Sequence, residues 1–104
     1  MTIYIVFSFY SKIKKANKIA KDVVKKKLAA CVNINKNINS FFIWEKKFCN
    51  EKEIELSFKT TSYKVKSLIS YIESNHPYEC PAIFALPINK TNIKFSNWVK
   101  KQTS

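Results

Sequence analysis

Among its 104 residues the chain has no glycine, no arginine, one histidine and one aspartate. Each scarcity closes a class of function. Without glycine there is no Gly-rich loop to cradle a phosphate, which removes the nucleotide-dependent enzymes built on one. With a single histidine, neither a His-rich zinc site nor a pair of His ligands can be assembled within one chain. A Ser-His-Asp triad would have to use Asp22, which sits in a Lys-rich stretch where nothing arranges it. The three cysteines, Cys31, Cys49 and Cys80, are odd in number and show no CxxC spacing, so neither a disulfide framework nor a zinc knuckle is expected. No charged region precedes the apolar start and no small-residue cleavage site follows it. Thr2 to Tyr10 is about half as long as a membrane span requires. The expectation is one soluble, cytoplasmic domain covering residues 1–104, with reduced thiols, no membrane partner, no organic cofactor and no catalytic residues. Cys31, among Ala29, Ala30 and Val32, is expected to be a small buried hydrophobe.

Lysine is what the chain has in abundance. The net charge of +12 comes from nineteen basic residues, all of them lysine. Such a charge suggests a nucleic-acid partner. However, the guanidinium fork that reads guanine or grips phosphate is missing, and the lysines are spread over every segment instead of forming one stripe. A generally cationic solvated surface, with no specific nucleic acid, is the simpler reading.

The apolar residues carry the fold. Ile3 to Tyr10 is β-branched and aromatic on both parities, as in a strand covered on both faces. Ser11 is placed to cap a helix in which Ile13, Ala16, Ile19, Ala20, Val23, Val24 and Leu28 recur at helical spacing. From Cys31 to Glu45 the period changes to two. Val32, Ile34, Ile38, Phe42 and Trp44 form one apolar face, and asparagines at 33, 35, 37 and 39 the other. Near the end Phe41 and Ile43 make the second face apolar too. A strand tip apolar on both sides needs a further cover, and a second subunit is the natural one in so small a domain. A turn within Glu45 to Lys52 leads to a strand with Ile54, Leu56 and Phe58 inward and Glu53, Glu55, Ser57 and Lys59 outward. Ser62 is placed to cap a second helix bearing Val65, Leu68, Ile69 and Ile72, ended by Asn75 and Pro77. Pro81 to Ile88 reads as an apolar strand with proline at both ends, which strand termini and edges tolerate. Ile93, Phe95, Trp98 and Val99 predict a short last helix capped from Thr91 or Asn92. The order β-α-β-β-α-β plus a C-terminal helix is the α+β, ferredoxin-like split β-α-β arrangement, with long second and third strands.

Four pieces stand in register along this frame: Leu28-Ala29-Ala30-Cys31-Val32-Asn33, Phe41-Phe42-Ile43-Trp44-Glu45-Lys46-Lys47, His76-Pro77-Tyr78-Glu79 with Pro81 and Ala85-Leu86-Pro87-Ile88, and Trp98. Their order, spacing and total length resemble the CutA family of divalent-cation tolerance proteins, from about Ile3 to about Trp98. The resemblance implies a homotrimer in which the long second and third strands pair across subunits. It implies a role in the response to divalent metal ions, with Cu(II) as the ion, and a binding protein, not an enzyme. In members with a mapped copper site the ligands are a Cys at the end of the first strand and two adjacent His before the Pro-Tyr. Aligned through Leu28 to Cys31, those positions are Ser8, Asn75 and His76. A hydroxyl and an amide are poor copper ligands, so His76 is the metal candidate that remains. On the residues alone, His76 can equally form a rigid helix-to-strand turn with Pro77 and Tyr78, its ring hydrogen-bonded to backbone. Trp44, Lys59, Tyr78 and Glu79 match family positions that line clefts between subunits, where they would hold a small ligand or stabilise the trimer. The fold and trimeric state also resemble those of nitrogen-regulatory signalling proteins, which bind small effectors between subunits; the second reading of function is therefore an effector-binding signalling or scaffold trimer whose copper site is lost. Where the family usually has Gly, Lys46 predicts either mild strain or a reshaped turn.

Overall fold

The computed structural model describes all 104 residues. Seven elements follow in the order β1 (Ile3–Tyr10), α1 (Ile13–Lys25), β2 (Cys31–Trp44), β3 (Lys47–Thr61), α2 (Val65–Asn75), β4 (Ile83–Ile88) and α3 (Ile93–Gln102). The strands form one antiparallel sheet in the order β2-β3-β1-β4, the split β-α-β topology expected from the pattern. Pro87 is accommodated because β4 lies at the sheet edge, where a missing N–H costs no ladder bond.

α1 and α2 cover one face of the sheet, and α3 packs against one end of the other. Ala16, Ile19 and Val23 of α1 and Leu68 and Ile72 of α2 bury against Val6 and Tyr10 of β1 and Leu56 and Phe58 of β3. A smaller cluster of Ile3, Ala30 and Val99 seats α3. The helix ends differ from expectation. Ser11 and Ser62 are not caps: Lys12 and Lys64 hold those positions, and neither makes a side-chain cap bond. Ser62 instead pairs with Thr2, its N–H donating to the Thr2 carbonyl and its Oγ accepting from the Thr2 N–H. At α3 Asn92 holds the cap position, also without a side-chain bond. Leu28 reaches the core from beyond the end of α1. Lys27 turns left-handed at φ 60°, and the Leu28 N–H bonds back to the Val23 carbonyl, closing the helix as a glycine-type terminus does.

One irregularity redirects a whole strand. Between Asn35 and Ile38, β2 advances three residues while β3 advances from Glu55 to Glu53. The extra residue is a β-bulge, and beyond it every side chain of β2 changes face. Val32 and Ile34 lie opposite Phe58 and Leu56 on the helix-covered face. Ile38 and Phe42, by contrast, lie opposite Glu53 and Cys49 on the bare face. The continuous apolar face read from even parity is therefore two half-faces. At the end of the hairpin, Glu45 and Lys46 both take positive φ, at 49° and 68°, the geometry of a tight two-residue hairpin turn. The turn that glycine normally serves is kept without it. The hairpin extends past the helices, so the molecule measures 45 × 25 × 22 Å.

Candidate functional site

Two neighbourhoods contain all but one, Lys59, of the site residues singled out by sequence. The first surrounds His76, at the junction of α2 and the loop to β4. The Tyr78 N–H donates to His76 Nδ1 at 3.1 Å. Nδ1 is thus the acceptor, and Nε2 must carry the proton that it donates to the Phe9 carbonyl at 2.7 Å. The ring stacks on Tyr10 at 4.4 Å and meets Tyr78 edge-on at 4.6 Å. Burial lowers the His76 pKa below its ordinary value, opposed by the bond to Phe9. Protonating Nδ1 would also set two donors against each other. Burial likewise pushes Tyr10 up to about 12.

This arrangement does not fit a copper ion. Both nitrogens of the imidazole are committed, so no lone pair is free. Ser8 is fully buried and its hydroxyl donates to the Tyr10 oxygen at 3.0 Å. The Asn75 amide donates to the Tyr71 carbonyl at 2.9 Å. Nowhere in the chain do three His, Cys, Asp or Glu side chains gather so as to hold a metal ion.

The second neighbourhood is a cavity of about 540 Å³ at the root of the β2–β3 hairpin. It lies where the bare sheet face, the outer residues of the hairpin and the loop after His76 meet. Trp44, Tyr78 and Glu79, three of the four residues that the family resemblance assigns to a cleft, line this cavity of the single chain. Lys59 does not. It lies further along β3 opposite Cys31, and its ammonium is held by the Asn33 side-chain carbonyl and by Ser57 Oγ at 2.9 Å. Burial, the larger influence, lowers the Lys59 pKa. Cys31 is half-buried, not buried as expected, because its position on β2 faces away from the helices; desolvation still raises its thiol pKa.

The cavity contains residues that the sequence did not flag: Phe9, Phe42, Glu51, Glu53 and Cys80. The Tyr78 hydroxyl donates to Glu53 Oε2 at 2.8 Å, tying the loop to the hairpin. Burial first, and then this carboxylate, push the Tyr78 pKa up to about 12. Glu53 was read as outward, but Glu51 was read into the turn region and the bulge that turns Phe42 and Trp44 toward the two was not visible.

The sequence profile of the CutA1 divalent ion tolerance protein family matches residues 4–102. The chain belongs to the CutA1 family. It is 39% identical over 90 residues to human "Protein CutA", covering 86% of this chain and 50% of that protein. It is 36% identical over 88 residues to the "Divalent-cation tolerance protein CutA" of Thermus thermophilus, covering 85% of each. The chain therefore spans about half the length of the curated human, frog and mouse relatives it matches. Among solved structures, CutA1 of Ehrlichia chaffeensis superposes with a TM-score of 0.94 at 32% identity, covering 98% of this chain and 95% of that one. Rice CutA1 superposes at 0.95 and 32% identity, covering 100% and 95%. One CutA relative is named as chloroplastic and another as periplasmic, so family membership does not fix a compartment. No helix of this CutA1 chain is long and apolar enough to cross a membrane.

Proposed function

We propose that this protein is a homotrimeric binding protein acting in divalent-cation tolerance, not a catalyst, and that it takes a small effector in clefts between subunits instead of holding Cu(II) at His76. The observation that carries this reading is the commitment of both His76 ring nitrogens to backbone groups. Coordination would require the ring to leave a stacked, half-buried seat.

Two unpartnered apolar surfaces support the trimer. The hairpin tip exposes Phe41, Ile43 and Phe48, each more than 60% exposed. The bare sheet face exposes Phe84 and Leu86, with Phe7 and Phe9 packed beside Phe84. A protruding apolar tip and a flat apolar face on one chain are complementary surfaces for neighbouring copies. The cavity lies between them, where clefts that hold ligands commonly form. We place the protein in the cytoplasm, where its three free thiols stay reduced.

Calorimetric titration of the metal-free assembly with Cu(II), beside His76→Ala, is the test. Weak binding unchanged by the substitution is expected. Tight binding that His76→Ala abolishes would establish the copper-buffer reading instead. A thermal-shift screen of organic effectors then separates the two, because a ligand that binds the native state raises its stability.

A further inference from the structure

The cavity has the opposite charge from the molecule that contains it. The chain carries nineteen basic and seven acidic side chains. Three of those seven acids, Glu51, Glu53 and Glu79, line this one cavity together with a single lysine, Lys52. Three carboxylates and one ammonium leave a local charge of −2 within a +12 protein. Within the chain none of the three carboxylates is ion-paired, since the one ion pair is Lys18–Asp22 on α1, and Glu53 accepts the Tyr78 hydroxyl. The walls between them are aromatic: Phe9, Phe42, Trp44 and Tyr78.

These features select a ligand class. The faces of Trp, Tyr and Phe attract cations through the ring quadrupole, by about 0.5–2 kcal/mol per contact. An inorganic divalent ion needs several converging donors, and the carboxylates here do not converge. An anion would face three carboxylates. An uncharged ligand would fill the apolar walls and leave the carboxylates unused. We infer that this cavity binds an organic ammonium ion, with the cationic head among Glu51, Glu53 and Glu79 and an apolar body against Trp44 and Phe42. This rests on the reading of the cavity as a ligand site given above. The positive field of the rest of the protein repels small cations, so ammonium binding here reports the cavity and not a general attraction.

Isothermal calorimetry on the assembled full chain at low salt tests this with 2-phenylethylammonium and 2-phenylethanol, which share a shape and differ in charge. The ammonium is expected to bind about tenfold tighter than the alcohol, as two nearby carboxylates at protein-surface dielectric allow. Glu51→Gln with Glu79→Gln, both at exposed positions, should remove that preference and leave alcohol binding unchanged. Trp44→Ala should weaken both ligands. Equal affinity for the two, or tighter binding of 3-phenylpropionate, overturns the ammonium assignment while keeping the cavity as a ligand site. If none of the three ligands binds, the ligand-site reading falls as well.

Discussion

The helix-covered half of the sheet and the protruding hairpin are built from similar residues and have opposite fates. Phe58 of β3 and Tyr10 of β1 are fully buried under α1 and α2, while Phe48 of β3 and Phe41 of β2 are 73% and 65% exposed. Composition does not separate the two regions. The reach of the helices does: α1 and α2 bury Leu56 and Phe58 before the bulge, and past it Phe41, Ile43 and Phe48 stand exposed. The lesson is that an aromatic side chain in this chain is either core or exposed surface according to how far along a strand, and on which face, it lies.

Four changes probe that difference. The largest effect is expected in the covered half. Phe58→Ala should lower unfolding stability by about 3–5 kcal/mol, the usual cost of emptying a packed aromatic site, with the loss read from the denaturant midpoint. A loss below about 1 kcal/mol would mean that the core is not where the packing puts it.

Ile43→Ser with Phe48→Ser should leave the covered core folded and break the assembly. Light scattering is expected to fall from about three times the 12.2 kDa chain mass to one. An unmodified chain already monomeric at micromolar concentration would sink the interface reading and leave the exposed tip unexplained.

The turn joining the two long strands offers a smaller test. Lys46 has left-handed backbone at φ 68°. Lys46→Gly should stabilise the fold by roughly 1 kcal/mol, because a side chain in that region costs about 1–2 kcal/mol and glycine's extra chain entropy takes some of the gain back. A melting temperature that drops would show that the Lys46 side chain makes a contact outweighing its backbone strain.

The smallest effect is in pH dependence. His76 has its pKa lowered in the fold, so the unfolded chain binds the proton first as pH falls. Its contribution is fully present above the ordinary value of 6.5 and is lost as pH falls toward and through the folded pKa. The stability of the protein should thus decline between neutral and mildly acidic pH, and His76→Phe should flatten that part of the profile. An unchanged slope in the variant would assign the decline to other groups.

The fold was legible because the two periods are clean. Ala16, Ile19 and Val23 recur at helical spacing with lysines between them, and Ile54, Leu56 and Phe58 alternate with Glu53, Glu55 and Ser57, so one face of each element had no other place than the core. The caps were less legible, since Ser11 and Ser62 have the right chemistry one or two positions too early. The site was half legible. Trp44, Tyr78 and Glu79 do meet at one cavity, and Lys59 does not, because it lies several residues away along β3 and bonds to Asn33 and Ser57 instead. A parity count across β2 fails at the bulge, because one unpaired residue turns Ile38, Phe42 and Trp44 to the other face and no residue type announces it.

By itself the sequence determined the order of the elements and the faces of α1, α2 and β3 that are buried, since these depend on residue type and local spacing. Tertiary structure alone decided that the His76 ring is closed by the Phe9 carbonyl and the Tyr78 amide, and that Glu51, Glu53 and Glu79 line one aromatic-walled cavity. Those outcomes depend on contacts between residues up to 67 positions apart, from Phe9 to His76, and no local pattern records where a bulge and a crossing loop will bring such residues together.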